Sequence, residues 1–141
     1  MRIPALSRHE VEAWAAYDKL TERELYAILG SPPSAEVPFR SDENLVIGNW
    51  FKITGRSVER GRRVYAAFLA RTRERVCPKW REFERQHKRK LTRVETLGLV
   101  LECVMSLAGV HFFPPPIATA TLMCKVCRYR LEKLCAGGKR R

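Results

Sequence analysis

The fold is decided by residues 92–135, which read TRVETLGLVLECVMSLAGVHFFPPPIATATLMCKVCRYRLEKLC. Apolar residues recur there at spacings of three and four, before and after the prolines, as in helices that bury one face. The consecutive prolines remove backbone donors and end the first helix, whereas Pro116 suits the first turn of the next. We therefore predict a C-terminal helical hairpin that forms the hydrophobic centre, with a final helix from about 117 to 135 that Gly137 ends.

Within the first helix of this hairpin, residues 97–113 form the one candidate membrane segment. A spanning helix needs about 20 predominantly apolar residues, and a carboxylate at its centre is costly. The run is interrupted by Gly98, Glu102, Ser106, Gly109 and His111. We therefore expect a buried core helix, with insertion into a membrane as the less favoured alternative.

Toward the N terminus, capping boxes of the form S/T-x-x-E begin at Ser7 and at Thr21. In this motif the first side chain caps a backbone N–H, and the glutamate three residues later bonds back. The two boxes predict short helices over about 8–19 and 22–29, and Gly30 supplies a stop for the second.

The stretch after these helices is expected to be irregular. Residues 31–41 are rich in proline and predict an extended loop, because proline disfavours helix in the residue before it. A third short helix, capped by Ser41 or Asp42, is predicted to run through residues 49–52, with a strand around Val46 and Ile47 as the alternative. The basic tail at 137–141 is expected to fray.

The central part of the chain predicts a helix over about 58–76, opened by Ser57. Steps of 100° per residue separate an arginine-rich face from an apolar one. The apolar face consists of Val58, Gly61, Tyr65, Phe68, Leu69, Thr72 and Val76.

A long apolar seam follows this helix. Pro78 sits where a new helix can begin, and apolar positions then continue at helical spacing from Trp80 to Ala108. A third capping box, Thr92 with Glu95, favours a break near residues 90–92 over a single helix of about 33 residues.

Together these patterns predict an all-α fold, a small bundle of five or six helices in which the C-terminal hairpin packs on the central helix and the N-terminal pair. At 141 residues the chain is long enough for a real core, and we treat 1–141 as a single helical domain. The same seam would suit a helix of a second copy, so a homodimer stays open.

Charge is concentrated in residues 56–93, where fourteen lysines and arginines face four acidic residues, giving ten of the chain's twelve net positive charges. Such a segment focuses a positive potential that attracts polyanions, and arginine binds phosphate in a bidentate way. The candidate nucleic-acid-binding residues are the basic side chains that can follow a phosphate backbone: Arg56, Arg60, Arg63, Arg71, Arg75, Lys79, Arg81, Arg85, Lys88, Arg89, Lys90 and Arg93.

The aromatic and the charged residues of this segment each allow other interpretations. Trp80 and Phe83 lie among the charges and would suit base stacking on a single strand, although their spacing favours core packing. The charges themselves would also suit a solvated face or a surface that docks an acidic protein.

Neither a catalytic centre nor a metal or cofactor site is predicted. Cys124 and Cys127 form a C-x-x-C, but a structural zinc site needs four ligands and no second close pair exists, so buried thiols are favoured. The glycines form no phosphate-binding motif, and the three histidines are scattered. The chain starts without an apolar leader, so a cytoplasmic location is expected, where all five cysteines would remain thiols.

The leading functional hypothesis is non-catalytic nucleic-acid binding through phosphates, without sequence specificity, either alone or as a small subunit of a larger complex. The alternative is a helical adaptor that docks a protein partner through the arginine face or through an exposed apolar patch on residues 97–135. Association with anionic lipid is a third, unlikely possibility, and an enzyme comes last.

Overall fold

The computed structural model describes residues 3–31, 54–108 and 115–136, without the side chain of Ala108. These ranges contain helices and no strand, which confirms the all-α prediction. The six helices are α1 (Arg8–Asp18), α2 (Glu22–Leu29), α3 (Gly55–His87), α4 (Arg93–Ala108), α5 (Pro116–Val126) and α6 (Leu131–Ala136). Apart from Ser31, the predicted loop at 31–41 lies outside the described residues, as do the predicted third helix that runs through 49–52 and the tail at 137–141.

The capping boxes set three of the helix starts. Ser7 Oγ accepts a hydrogen bond from the Glu10 N–H at 3.1 Å, and the Glu10 carboxylate accepts one from the Ser7 N–H at 2.8 Å. Thr21 with Glu24 repeats this reciprocal pair at α2. Thr92 with Glu95 repeats it at α4, so the predicted break in the apolar seam is confirmed.

Helix α3 is longer than predicted at both ends. Thr54 caps its start, so Ser57 is the third helical residue and not the cap. Pro78 does not begin a new helix but lies inside α3. A proline within a helix removes one backbone donor, and here the residues around it, Val76, Cys77 and Phe83, remain buried. We infer that this burial offsets the lost hydrogen bond.

The prediction of a single final helix is wrong, because residues 116–136 form two helices, α5 and α6, separated by a turn. Arg128 and Tyr129, between α5 and α6, both adopt the left-handed conformation at φ 56°. The Tyr129 N–H donates to the Cys124 carbonyl at 2.7 Å, and the Tyr129 hydroxyl accepts from Trp14 Nε1 at 2.8 Å. These contacts hold a turn that residue spacing alone does not reveal.

The hydrophobic core forms around α4 and α5, as the hairpin prediction required. Leu97, Val100 and Val104 of α4 are completely buried, as are Leu122 and Met123 of α5. Helices α1 and α2 pack against α5, and α3 contacts α2, α4 and α6. Among the described residues, no helix combines the length and the apolar character needed to cross a membrane.

Helices α2 and α3 meet in direct backbone contact at two glycines. A Cβ atom built on Gly61 would lie 1.7 Å from the Tyr26 carbonyl oxygen, and one on Gly30 would lie 1.9 Å from the Ser57 carbonyl oxygen. No side chain fits at such distances. The crossing therefore fixes which face of α3 turns inward, and Arg60 Nε reinforces it by donating to the Gly30 carbonyl at 2.8 Å.

A disulfide joins Cys77 of α3 to Cys135 of α6, so the expectation that all cysteines stay as thiols is wrong for this pair. The two residues are 58 positions apart, and they meet because α6 packs on α3. Cys103, Cys124 and Cys127 are buried thiols.

The glycine crossing gives a test with a matched control. Gly61→Ala should destabilise the protein by more than about 3 kcal/mol, because the overpacked backbone contact outweighs the gain of about 1 kcal/mol in helix propensity. Gly55→Ala makes the same change where the new Cβ meets nothing within 4 Å. Urea denaturation of both variants measures the difference, and equal midpoints would contradict the account of the crossing.

Candidate nucleic-acid interface

Six of the candidate residues form what we call the basic face of α3. All are exposed, and helical spacing places them within about 80° of the helix circumference. The buried residues Val58, Tyr65, Thr72, Val76 and Phe83 lie on the opposite side. The basic face runs for about 44 Å at 1.5 Å per residue. Its members are Arg56, Arg60, Arg63, Arg71, Arg81 and Arg85.

Two further candidates lie on the flank of α3 that packs against α4. Arg75 donates to the Ser106 hydroxyl at 3.0 Å, and Lys79 Nζ lies 3.9 Å from the Glu102 carboxylate. Both side chains are exposed, so these contacts are screened by solvent and contribute little to stability. They remain close to the basic face and can exchange their protein partners for a phosphate.

The remaining four candidates, Lys88, Arg89, Lys90 and Arg93, form the turn cluster between α3 and α4. The Arg89 guanidinium binds both Glu95 oxygens at 2.9 Å and lies 5.0 Å from the centre of the Phe83 ring. The hydrogen bond from Arg89 is the main cause that lowers the pKa of Glu95 to about 2. Lys90 lies 3.9 Å from Glu132 of α6.

Arg93 is the candidate most firmly held within the protein. It hydrogen-bonds the Asp18 carboxylate of α1, and its guanidinium lies 4.1 Å from the centre of the Tyr129 ring. Partial burial raises the pKa of Asp18, but hydrogen bonds from Arg93 and Tyr129 outweigh that effect and the pKa is lowered. Lys125 Nζ also donates to the Asp18 backbone carbonyl at 2.8 Å. This network ties α1 to α4 and to the α5–α6 turn, which gives Arg93 a structural role.

The candidates differ in how available they are for a ligand. Within the described ranges, Arg56, Arg63, Arg71 and Lys88 have no hydrogen bond or ion pair to another side chain. Arg81 only approaches the Trp80 ring, 5.9 Å from its centre. The most available charges therefore occur along the whole length of the basic face and at its C-terminal end.

Acidic residues modulate the basic face. Glu74 is exposed, and helical spacing places it in the middle of the face, between Arg71 and Arg81. Glu82 accepts from Arg85 at 2.6 Å, and this hydrogen bond lowers the pKa of Glu82. Glu74 and Glu82 therefore each offset part of the positive charge of the basic face.

The aromatic residues of the segment do not form a stacking platform. Phe83 is 2% exposed and stacks on His87 at 4.3 Å between ring centres, and Trp80 packs partly buried against the core. The core interpretation is confirmed for Phe83. A ligand on the basic face would meet guanidinium groups and short side chains, because Ala66, Ala67 and Ala70 are the exposed residues between Arg63 and Arg71.

Three basic residues outside the predicted nucleic-acid-binding residues also lie close to other elements of the structure. Arg62 lies 4.7 Å from the centre of the Tyr26 ring, and Arg73 Nε donates to the Leu134 carbonyl at 2.9 Å, so both hold neighbouring helices. Arg130 lines a groove of about 260 Å³ together with Lys90. No sequence pattern relates Arg130 to Lys90, because their proximity depends on the turn at residues 128–129.

The C-x-x-C motif lies in the core. Burial raises the pKa of the Cys124 thiol well above its ordinary value, and it also raises that of Cys127. Cys127 is 5% exposed and Cys124 is fully buried. In the described part of the chain, no group of three or more histidine, cysteine or acidic side chains is arranged to hold a metal ion.

Comparison of the chain with protein families, with characterised proteins and with solved structures gives no match.

The Arg89–Glu95 pair predicts a dependence of stability on pH. Because the folded pKa of Glu95 is about 2 and its ordinary value is 4.5, the ionised pair stabilises the protein above pH 4.5 and the effect is lost as the pH falls toward 2. Glu95→Gln should cost about 1 kcal/mol or less at pH 7, since solvent screens the pair, and nothing near pH 2. Denaturation of both proteins from pH 7 to 2 measures this, and a constant difference would contradict it.

Proposed function

We propose that the protein is a non-catalytic nucleic-acid-binding protein that contacts phosphates through the basic face of α3. One observation carries the proposal: exposed guanidinium groups line one side of a helix of 33 residues, about 50 Å long, and Arg56, Arg63 and Arg71 have no hydrogen bond or ion pair within the described residues. A phosphate backbone is an extended polyanion, and it matches this extended array better than a small anion does.

The proposed binding has little base readout. Adenine edges are read by asparagine and glutamine, and α3 exposes no asparagine and only Gln86 near its end. The arginines are spread along about 44 Å of one side of the helix, and we propose that they contact phosphates. Arginine contacts to phosphates fix position but carry no sequence information directly. The protein is therefore proposed to bind nucleic acids of different sequence alike, in the cytoplasm, alone or as a small subunit of a larger complex.

The alternative of an adaptor that docks a partner through an exposed apolar patch has less support. Between residues 97 and 135, the large hydrophobic side chains that are exposed among the described residues are Met105 and Val126, and the rest of α4 and α5 is largely core. The exposed charges are more compatible with an adaptor that docks an acidic protein on the basic face. The experiment below distinguishes this partner from a nucleic acid.

A neutralised variant tests the proposal. Arg56, Arg63, Arg71 and Arg81 changed together to glutamine should weaken binding to all sequences alike. The slope of log K against log salt should fall in magnitude by about 3 to 4, since each phosphate contact releases about 0.9 counterion on duplex DNA. Fluorescence anisotropy with random duplex DNA, single-stranded DNA and RNA at 50 to 200 mM salt gives both quantities.

The matched control removes the same charge elsewhere, at the exposed residues Arg8, Lys19, Arg23 and Lys133. If the control weakens binding as much as the variant, only the net charge matters and the basic face is not the site. If the wild type binds none of the three nucleic acids at low salt, the proposal is wrong and an acidic protein becomes the expected partner.

A gain-of-affinity variant tests the same surface from the other side. Glu74→Gln removes the carboxylate from the middle of the basic face and should tighten nucleic-acid binding by about 2- to 5-fold at 50 mM salt, an effect that fades at 200 mM. Glu22→Gln makes the same change on α2, where the side chain is also exposed. Equal affinities of the two variants, measured by anisotropy, would show that Glu74 does not face the ligand.

A further inference from the structure

The Cys77–Cys135 disulfide is placed where a small molecule can reach it. Both cysteines line an open groove of about 430 Å³ beside α3, together with Arg73, Glu74 and Arg81. Both cysteine residues are largely covered, with Cys77 8% and Cys135 4% exposed, and both contribute to the wall of this groove.

Two arginines, Arg73 and Arg81, line the same groove as the disulfide. Arg73 Nε donates to the carbonyl of Leu134, the residue before Cys135. This hydrogen bond places the Arg73 guanidinium near the C-terminal end of α6. Arg81 follows Cys77 by one turn of α3 and is exposed at the groove rim. Glu74 is the one acidic residue of the groove wall, so the lining carries a net charge of +1.

The other three described cysteines are free thiols. Cys103, Cys124 and Cys127 are buried, and burial raises the pKa of Cys103 to about 11. Thiols of that kind stay protonated at neutral pH and react slowly. Cys77 and Cys135 differ from these thiols because they are bonded to each other and line the groove.

We propose that this groove is a thiol–disulfide exchange site for small anionic thiols, such as those that also carry a carboxylate. The positive lining raises the local concentration of a negatively charged thiolate and stabilises the cysteine thiolate that leaves. This inference does not depend on nucleic-acid binding.

The exchange proceeds in two steps. A thiolate attacks one disulfide sulfur, the bond between Cys77 and Cys135 breaks, and the other cysteine leaves as a thiolate while a mixed disulfide forms. A second thiolate attacks the mixed disulfide and releases the small molecule as its own disulfide. Two electrons pass to the protein, and the two cysteines take protons from solvent. Helix α6 is then held by the buried Leu131 and Leu134 and by the hydrogen bond to Arg73.

A charge series of thiols tests the proposal on the oxidised full-length protein. The probes are 3-mercaptopropionate, 2-mercaptoethanol and cysteamine, which are similar in size and differ in charge. Rates are expressed per thiolate and divided by the rate of each probe with 2-hydroxyethyl disulfide, which removes differences in intrinsic reactivity. Denaturation in N-ethylmaleimide followed by intact-mass measurement counts the reduced cysteines and detects the mixed disulfide.

We expect the normalised rate of 3-mercaptopropionate to exceed that of cysteamine by about 10-fold at low salt, with the ratio falling as salt rises. Arg81→Glu should lower that ratio by about 3- to 10-fold. The control Arg63→Glu makes the same change on α3, about 21 Å along the helix from Cys77, and should lower it much less. Equal normalised rates for the three probes, or equal effects of the two variants, would overturn the proposal.

Discussion

The contact between α2 and α3 at Gly30 and Gly61 is the constraint on which the rest of the structure depends. The carbonyl of Tyr26 occupies the space that a side chain at position 61 would need, so the two backbones touch. Because α3 can cross α2 in only this orientation, the face containing Tyr65 and Val76 is buried and the arginines of the opposite side are exposed. The proposed interface is thus a consequence of core packing.

The basic residues of the central segment fall into two groups that differ in their contacts. Arg60, Arg73 and Arg93 reach a backbone carbonyl or a carboxylate of another element and help to hold the helices in place. The exposed arginines without such contacts contribute little to stability, and their cost is mutual repulsion. A chain that keeps these charges on one side of a single helix gains nothing for its fold from them, which favours a role in binding an external polyanion.

Local patterns predicted the helices well because their determinants are local. The capping boxes at Ser7, Thr21 and Thr92 involve residues three apart, and the structure contains all three. The failures occurred where distant residues decide the outcome. Pro78 stays inside α3 because residues on both sides of it are buried, and the turn after α5 depends on contacts of Tyr129 with Trp14 and Asp18, more than a hundred residues away.

The same distinction applies to the surface. Charge clustering and helical periodicity were enough to predict that Arg56, Arg63 and Arg71 lie on one exposed face. They could not show that Arg89 is committed to Glu95, that Cys77 meets Cys135, or that Arg130 comes close to Lys90, since each pairing requires the helices to be packed.

The central claim is that a polyanion covers the outer side of α3, and arginine footprinting tests it most directly. The protein is treated with phenylglyoxal with and without random duplex DNA, and modification is quantified by peptide mass spectrometry. The account predicts strong protection of Arg56, Arg63, Arg71 and Arg81, with Arg8 and Arg23 unchanged. Protection spread evenly over all exposed arginines, or confined to those outside α3, would contradict it.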